Sequence, residues 1–118
     1  VFQALNGWKN KRGENFDIVI LDPPTSSSVG KKKKRWSIKQ HDMERVGAVA
    51  LAACLVKSGG LLWTTTNCAG LSPLKFAKSC HAGFDNASVG AKLERIQPMP
   101  GDFPCIGPAP VKNLVWRI

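Results

Sequence analysis

The sequence lacks any apolar run long enough to cross a membrane. Its longest run, at residues 48–56, reads AVALAACLV, whereas a spanning helix needs about 20 apolar residues. A signal-peptide pattern with its cleavage site is also missing. Hydrophobic residues nevertheless make up 43% of the 118, too many for a disordered chain. We therefore expect one globular domain that makes no membrane contact.

Closely spaced cysteine pairs are absent as well. The four cysteines (Cys54, Cys68, Cys80 and Cys105) lie 14, 12 and 25 residues apart, and no CxxC pair occurs. This spacing excludes zinc ribbons and thioredoxin-type redox motifs, and no metal site is predicted. Two of the cysteines have apolar neighbours in the sequence. The pattern favours a reduced, intracellular protein of the cytoplasm or an organelle.

Acidic residues are scarce, since 8 Asp and Glu stand against 17 Lys and Arg, a net charge of +9. The positive charge is concentrated in one uninterrupted run, formed by Lys31, Lys32, Lys33, Lys34 and Arg35. Such a run is either a solvated loop or a segment that binds phosphates. Because each neutralised phosphate releases counterions, the charge excess favours a polyanionic partner such as RNA.

The hydrophobic pattern predicts two strands separated by a helix. Residues 16–21 (FDIVIL) are apolar on both faces, which is typical of a strand buried in a parallel sheet, and Asp22-Pro23-Pro24 ends it. A helical period runs over residues 38–57. Ser58-Gly59-Gly60 follows, and we expect a glycine with positive φ to end the helix there. Residues 61–66 (LLWTTT) form the second predicted strand.

A second helix and two further strands complete the predicted order. Ser72 is a suitable N-cap, Pro73 suits the first helical position, and the helix is expected to end near Gly83. Strands are predicted at residues 91–97 and 111–118, on either side of a loop that holds five of the eight prolines. The alternation predicts an α/β fold with a mostly parallel sheet. The last two strands have no helix between them, so we expect an antiparallel edge hairpin with residues 111–118 outermost.

Two reactive side chains follow the first two predicted strands. Ligands bind beyond the carboxyl ends of strands in open α/β sheets, and Asp22 and Cys68 stand at those ends. If the strands are neighbours, a carboxylate and a thiol face the same crevice. Each residue also has an ordinary interpretation, because Asp-Pro is common in turns and a lone Cys is often a small apolar core residue. Their coincidence favours a functional site.

The segments FDIVILDPP, SGGLLWTTTNCAGL, GDFP and VKNLVWRI resemble the C-terminal half of a class I S-adenosyl-L-methionine-dependent methyltransferase. They are most similar to the bacterial large-subunit ribosomal RNA cytosine-C5 methyltransferases that carry a PUA domain. The resemblance implies a Rossmann-like fold, S-adenosyl-L-methionine as cofactor and ribosomal RNA as substrate. It makes residues 1–118 a single partial domain whose N-terminal cofactor-binding motifs lie outside the chain. The remainder of the methyltransferase domain is then an implied partner, and the isolated chain is expected to be inactive.

The same resemblance implies roles for individual residues. Asp22, Pro23 and Pro24 match the motif at the junction of cofactor and target base, and Cys68 matches the nucleophile that attacks C6 of cytosine. Asp102 and Pro104 match an Asp-His-Pro element on the substrate side, although Phe103 replaces the histidine here. Two alternatives stay open. In the first, the chain is a degenerate methyltransferase-like module that binds RNA or a protein partner. In the second, it is a class I methyltransferase with another target, such as an amine.

Overall fold

The computed structural model describes residues 2–9, 15–23 and 38–118. The elements in these ranges are α1 (Phe2–Lys9), β1 (Phe16–Leu21), α2 (Ile38–Ala53), β2 (Val56–Thr66), α3 (Pro73–Ala87), β3 (Lys92–Gln97) and β4 (Lys112–Arg117). The predicted alternation of strands and helices is confirmed, with one helix added in front. None of the helices described is both long and apolar enough to cross a membrane.

Helix α1 is the element that the sequence analysis missed. Its Leu5 is buried in the core, while Trp8 packs edge-on against Phe16 of β1 with the ring centroids 6.3 Å apart. Apolar residues recur in α1 at intervals of three, which is a helical spacing. Only eight residues carry that pattern, too few to distinguish a helix from the end of another element.

The four strands form one mixed sheet in the order β1-β2-β4-β3. β1 pairs in parallel with β2, and β4 runs antiparallel to both of its neighbours. The predicted adjacency of the first two strands and the antiparallel hairpin are therefore confirmed. The expectation that residues 111–118 lie outermost was wrong, because β3 is the edge strand. β3 is charged and largely exposed, as suits an edge, whereas β4 buries Leu114 and Trp116.

The connection between α2 and β2 is shorter than predicted. The helix ends at Ala53 rather than residue 57, because the Phe16 amide donates a hydrogen bond to the Leu55 carbonyl (2.8 Å) and Val56 already pairs with β1. Gly59 has the expected positive φ, 81°, but within β2. It lies where the pairing with β1 is irregular, between Val56 and Leu61. The glycine therefore allows a bulge and does not end the helix.

Among the described residues, strand β1 is covered on one face only, contrary to the expectation from its apolar composition. Ile18 and Ile20 are 58% and 67% exposed, whereas Leu21 is buried. The reason is that α2 packs against β1, β2 and α3, on the face that carries Leu21 and Leu62. Alternation along a strand then leaves every second side chain of β1 on the opposite face.

Helix α3 begins as predicted, since Ser72 is its N-cap and accepts a hydrogen bond from the Lys75 amide (3.3 Å). It continues past Gly83 to Ala87. Gly83 does not break the helix because it lies where α3 crosses α2. A Cβ atom at this position would be 2.7 Å from the Val49 side chain, so the residue allows the two helices to approach closely.

Candidate functional site

The carboxyl ends of β1 and β2 lie side by side at one edge of the sheet. Their last paired residues are Leu21 and Thr64, and the strands run in the same direction. Asp22 is the next residue after β1, and Cys68 follows β2 after one intervening residue, Asn67. Asp22 is exposed and Cys68 is half-buried. The topology thus brings the two predicted residues to one edge, as the parallel pairing requires.

The main chain of Cys68 is held on both sides. Its amide donates a hydrogen bond to Thr66 Oγ1 (3.3 Å), and its carbonyl accepts one from the Leu71 amide (3.2 Å). The first hydrogen bond forms an ST-turn at the end of the strand, and the second closes a β-turn over residues 68–71. Thr66 is itself buried. The position of Cys68 is therefore set by the end of β2 and not by a free loop.

Lys112 supplies a third contact to this turn. Its Nζ donates to the Cys68 carbonyl at 2.8 Å and approaches the Pro110 carbonyl at 3.5 Å. The residue opens β4 directly opposite Thr66 and is 8% exposed. A buried ammonium group thus lies beneath the turn that carries the thiol.

Sequence reasoning did not single out Lys112 as a site residue, although a signal was available. Lys112, Leu114 and Trp116 share one phase of β4, and all three are buried. A lysine in phase with buried apolar residues is unusual, because ammonium groups are seldom buried without partners.

A cavity of about 230 Å³ lies between α1 and the end of β1. Its walls are mainly apolar, and Asp22 and Pro23 stand at its rim; the lining residues are Ala4, Leu5, Trp8, Ile20, Leu21, Asp22 and Pro23. Whole ligands usually occupy about 300–1,000 Å³. The cavity is therefore smaller than most ligand sites, and it places one carboxylate beside an apolar surface.

The proline-rich segment brings Asp102 and Pro104 to the surface. Both are exposed, and Asp102 lies in a turn that the Phe103 amide closes by donating a hydrogen bond to the Pro100 carbonyl (3.0 Å). The end of the same segment reaches the Cys68 turn, through the Lys112 contact with Pro110. Asp102 itself makes no contact with Asp22 or Cys68 in the part of the chain described.

Two of the predicted groups lie outside the described residues. These are Pro24 and the basic run Lys31–Arg35, and their predicted roles stay predictions. Within the described ranges, no three His, Cys, Asp or Glu side chains are grouped as a metal ion would require.

The four cysteines have distinct environments. Cys80 is fully buried on α3, and burial raises the pKa of its thiol to about 11, although a hydrogen bond with Thr64 partly opposes that effect. Cys105 is exposed. Cys54 is half-buried and lies in the turn after α2. Cys68 is the thiol at the crevice edge of the sheet, although it also packs partly against the core.

Part of the sequence is similar to that of a known protein. No family model matches the sequence. A "Ribosomal RNA large subunit methyltransferase K/L" from Saccharophagus degradans is 33% identical over 60 residues, which cover 51% of this chain and 8% of that protein. The chain therefore corresponds to a small part of this relative.

Two solved structures match the whole chain. SMU.776, described as a methyltransferase and crystallised with SAH, superposes with a TM-score of 0.73 at 20% identity, covering 100% of this chain and 30% of the other. A SAM-dependent methyltransferase from Streptococcus mutans gives a TM-score of 0.70 at 18% identity, with 99% and 29% covered. The chain therefore shares the fold of part of each of these two proteins, the Rossmann-like fold that the sequence resemblance implied.

Proposed function

We propose that this chain is the part of an S-adenosylmethionine-dependent RNA methyltransferase that holds the target base, and that it modifies C5 of cytosine in large-subunit ribosomal RNA. The observation that carries the proposal is the position of Cys68, whose main chain is held just after β2, beside the parallel strand that Asp22 follows. Methylation of an amine requires no nucleophile on the enzyme, whereas methylation of C5 does.

The nucleophile is needed because C5 of cytosine is unreactive. Addition of the Cys68 thiolate to C6 forms a carbon–sulfur bond and moves the electron pair of the C5–C6 double bond to C5. That electron pair would form the new bond from C5 to the methyl group that bound S-adenosylmethionine supplies. Loss of the C5 proton to a general base would then return an electron pair that expels the thiolate and restores the double bond. Asp22 would bind the N3/N4 edge of the base during the addition. The target cytosine must first leave its stack in the RNA to reach the carboxyl ends of β1 and β2.

The cavity beside β1 fits one portion of the cofactor. Its apolar wall from α1 offers a surface for a flat ring, and Asp22 and Pro23 stand where cofactor and base would meet. Bound there, S-adenosylmethionine supplies an electrophilic methyl group. SAH, with which SMU.776 was crystallised, is the product that remains once that methyl group has left.

RNA as the substrate class rests on two independent observations. The relative from Saccharophagus degradans is named for large-subunit ribosomal RNA, and the chain carries a net charge of +9. We propose that Lys31–Arg35 contacts phosphates. Replacing all five residues with Gln is expected to weaken RNA binding and to reduce the magnitude of the slope of log K against log salt by up to about 3.5 to 4.5. An unchanged slope would exclude this role for the basic run.

The nucleophile is tested by Cys68→Ala in the full-length protein, with Cys105→Ala as the matched thiol control. Methyl transfer from S-adenosylmethionine to an unmodified large-subunit RNA transcript should be lost in the first variant and retained in the second. RNA containing 5-fluorocytosine should form a covalent adduct with the wild type and with Cys105→Ala only. Fluorine blocks loss of the C5 substituent, so the carbon–sulfur bond persists.

The other outcomes distinguish the alternatives. Full methylation by Cys68→Ala would indicate a target other than cytosine C5 and would overturn the proposal. RNA binding without methyl transfer in the wild-type protein would indicate a degenerate binding module. We also propose that the 118-residue chain alone is inactive, which a methyl-transfer assay of the isolated chain beside the full-length protein tests.

A further inference from the structure

Lys112 is a buried cation with no carboxylate partner among the described residues. Its polar contacts are the carbonyl oxygens of Cys68 and Pro110, at 2.8 Å and 3.5 Å. Removing an ammonium group from water is costly, and two carbonyl dipoles compensate less than a carboxylate would. A methionine would fill similar space in the same row as Leu114 and Trp116. Stability alone therefore does not explain a lysine at this position.

The two carbonyl groups do not need Lys112 for their own satisfaction. The Cys68 carbonyl already accepts a hydrogen bond from the Leu71 amide. Pro110 lies in an exposed segment, so water can reach its carbonyl. The need of the two carbonyl oxygens for a hydrogen bond therefore does not explain the Lys112 contact. The positioning of the two segments that carry these carbonyls explains it better.

The Lys112 contact joins two segments that carry predicted site residues. One is the turn at residues 68–71, and the other is the proline-rich segment 98–110, which carries Asp102 and Pro104. Lys112 lies between them because it is the first residue of β4, opposite the last residue of β2. Its side chain thus fixes the Cys68 main chain relative to the predicted substrate-side segment.

We propose that Lys112 is a positioning residue that orders the Cys68 turn for attack on the base. The inference rests on the proposed role of Cys68. A nucleophile must stand within about 3–3.5 Å of its target in the correct direction, and a misplacement of about 1 Å can cost about 100-fold in rate. Thr66 contributes the opposing contact, on the amide side of the same residue.

The test compares Lys112→Met with Lys92→Met in the full-length protein. Lys92 is an exposed lysine at the start of β3 and makes no contact with the turn. In Lys112→Met we expect amide hydrogen exchange at Cys68 and Leu71 to accelerate by about tenfold or more, because the turn loses its anchor. The control variant should exchange at the wild-type rate.

Methyl transfer is measured on the same proteins. For Lys112→Met we expect kcat to fall about 100-fold with the KM for S-adenosylmethionine within about twofold of wild type, since the cofactor pocket lies beside β1. The thermal unfolding midpoint should not fall by more than about 2 °C, because an apolar side chain replaces a buried charge. Lys112→Arg retains donors for both carbonyls and should recover most of kcat.

The results separate this inference from the proposed function. Unchanged exchange at Cys68 and Leu71, or an unchanged kcat in Lys112→Met, would overturn the positioning role. A large loss of stability shared by Lys112→Met and Lys112→Arg would also overturn it, because that pattern indicates a structural residue. Methylation that survives Cys68→Ala would instead overturn the nucleophile, and the exchange measurement would still decide whether Lys112 orders the turn.

Discussion

Two polar clusters lie on the same face of β2, centred on Thr64 and Thr66, and they differ in composition. Thr64 Oγ1 accepts a hydrogen bond from Trp116 Nε1 (3.0 Å) and lies 3.5 Å from Cys80 Sγ. Every member of this cluster is neutral and fully enclosed. Around Thr66 the cluster contains a buried cation, a turn and a half-buried thiol. The first cluster lies within the core, and the second lies at the carboxyl ends of β1 and β2.

The difference follows from the residues opposite the two threonines. Thr64 faces Leu114 on β4, whereas Thr66 faces Lys112. Trp116 belongs to the first cluster and also packs edge-on against Phe84 and His81, with ring centroids 5.0 Å away in both cases. Leu114 and Lys112 lie two positions apart in β4. Leu114 therefore belongs to a region that stabilises the fold, and Lys112 to a region that we propose acts on a substrate.

Removal of the Trp116 side chain should have the largest effect on the cluster around Thr64. Trp116→Ala deletes a fully buried ring and should lower the free energy of unfolding by about 3–5 kcal/mol, measured by urea denaturation. Trp63→Ala is the matched control, since Trp63 is half-buried on the opposite face of the sheet and bonds to Asn113. We expect the control to cost less than half as much. Equal losses would mean that the two faces are packed alike.

Alkaline pH should weaken the Thr64 cluster through Cys80. Because burial raises its pKa to about 11, the folded protein holds the thiol proton more tightly than the unfolded chain does. The resulting stability is complete below about pH 9, the ordinary thiol pKa, and is lost as the pH rises through 11. The loss should reach about 2–3 kcal/mol in denaturation curves at successive pH values. Cys80→Ala should remove this part of the pH dependence, and identical curves for the two proteins would contradict the assignment.

The two threonines provide the smallest and most direct comparison. Thr64→Val leaves the buried Trp116 Nε1–H without its acceptor and should cost about 1–3 kcal/mol in unfolding free energy, with methyl transfer unchanged. Thr66→Val leaves only the amide of half-buried Cys68 unpaired and should cost less stability. Its kcat should fall, since the turn loses one of its contacts. The contrast between the clusters would fail if both variants affected stability and kcat to the same extent.

Much of the architecture was predictable from the sequence. β1 was predicted with its observed bounds, and the N-cap of α3 was identified from Ser72-Pro73. The errors fall where local pattern and pairing compete. The helical period predicted over residues 38–57 includes Val56, yet Val56 joins the sheet because Phe16 is its partner. Composition likewise could not show which face of β1 is covered.

The candidate site divides in the same way. Asp22 and Cys68 could be found from sequence because each follows an apolar strand, and the parallel pairing of β1 and β2 brings those ends together. Their proposed roles in the reaction still depend on the experiments above. Lys112 could not be assigned, since its contact with Cys68 spans 44 residues of sequence. Its place depends on the antiparallel register of β2 and β4.

The sequence by itself determined the strands, the two longer helices and the two strand ends that Asp22 and Cys68 follow, because hydrophobic period, proline and capping act over a few residues. Only the tertiary structure decided that β4 enters the sheet between β2 and β3, and that a lysine lies beneath the Cys68 turn. Strand order and register depend on which surfaces bury each other across long stretches of chain. Local pattern contains no record of that pairing.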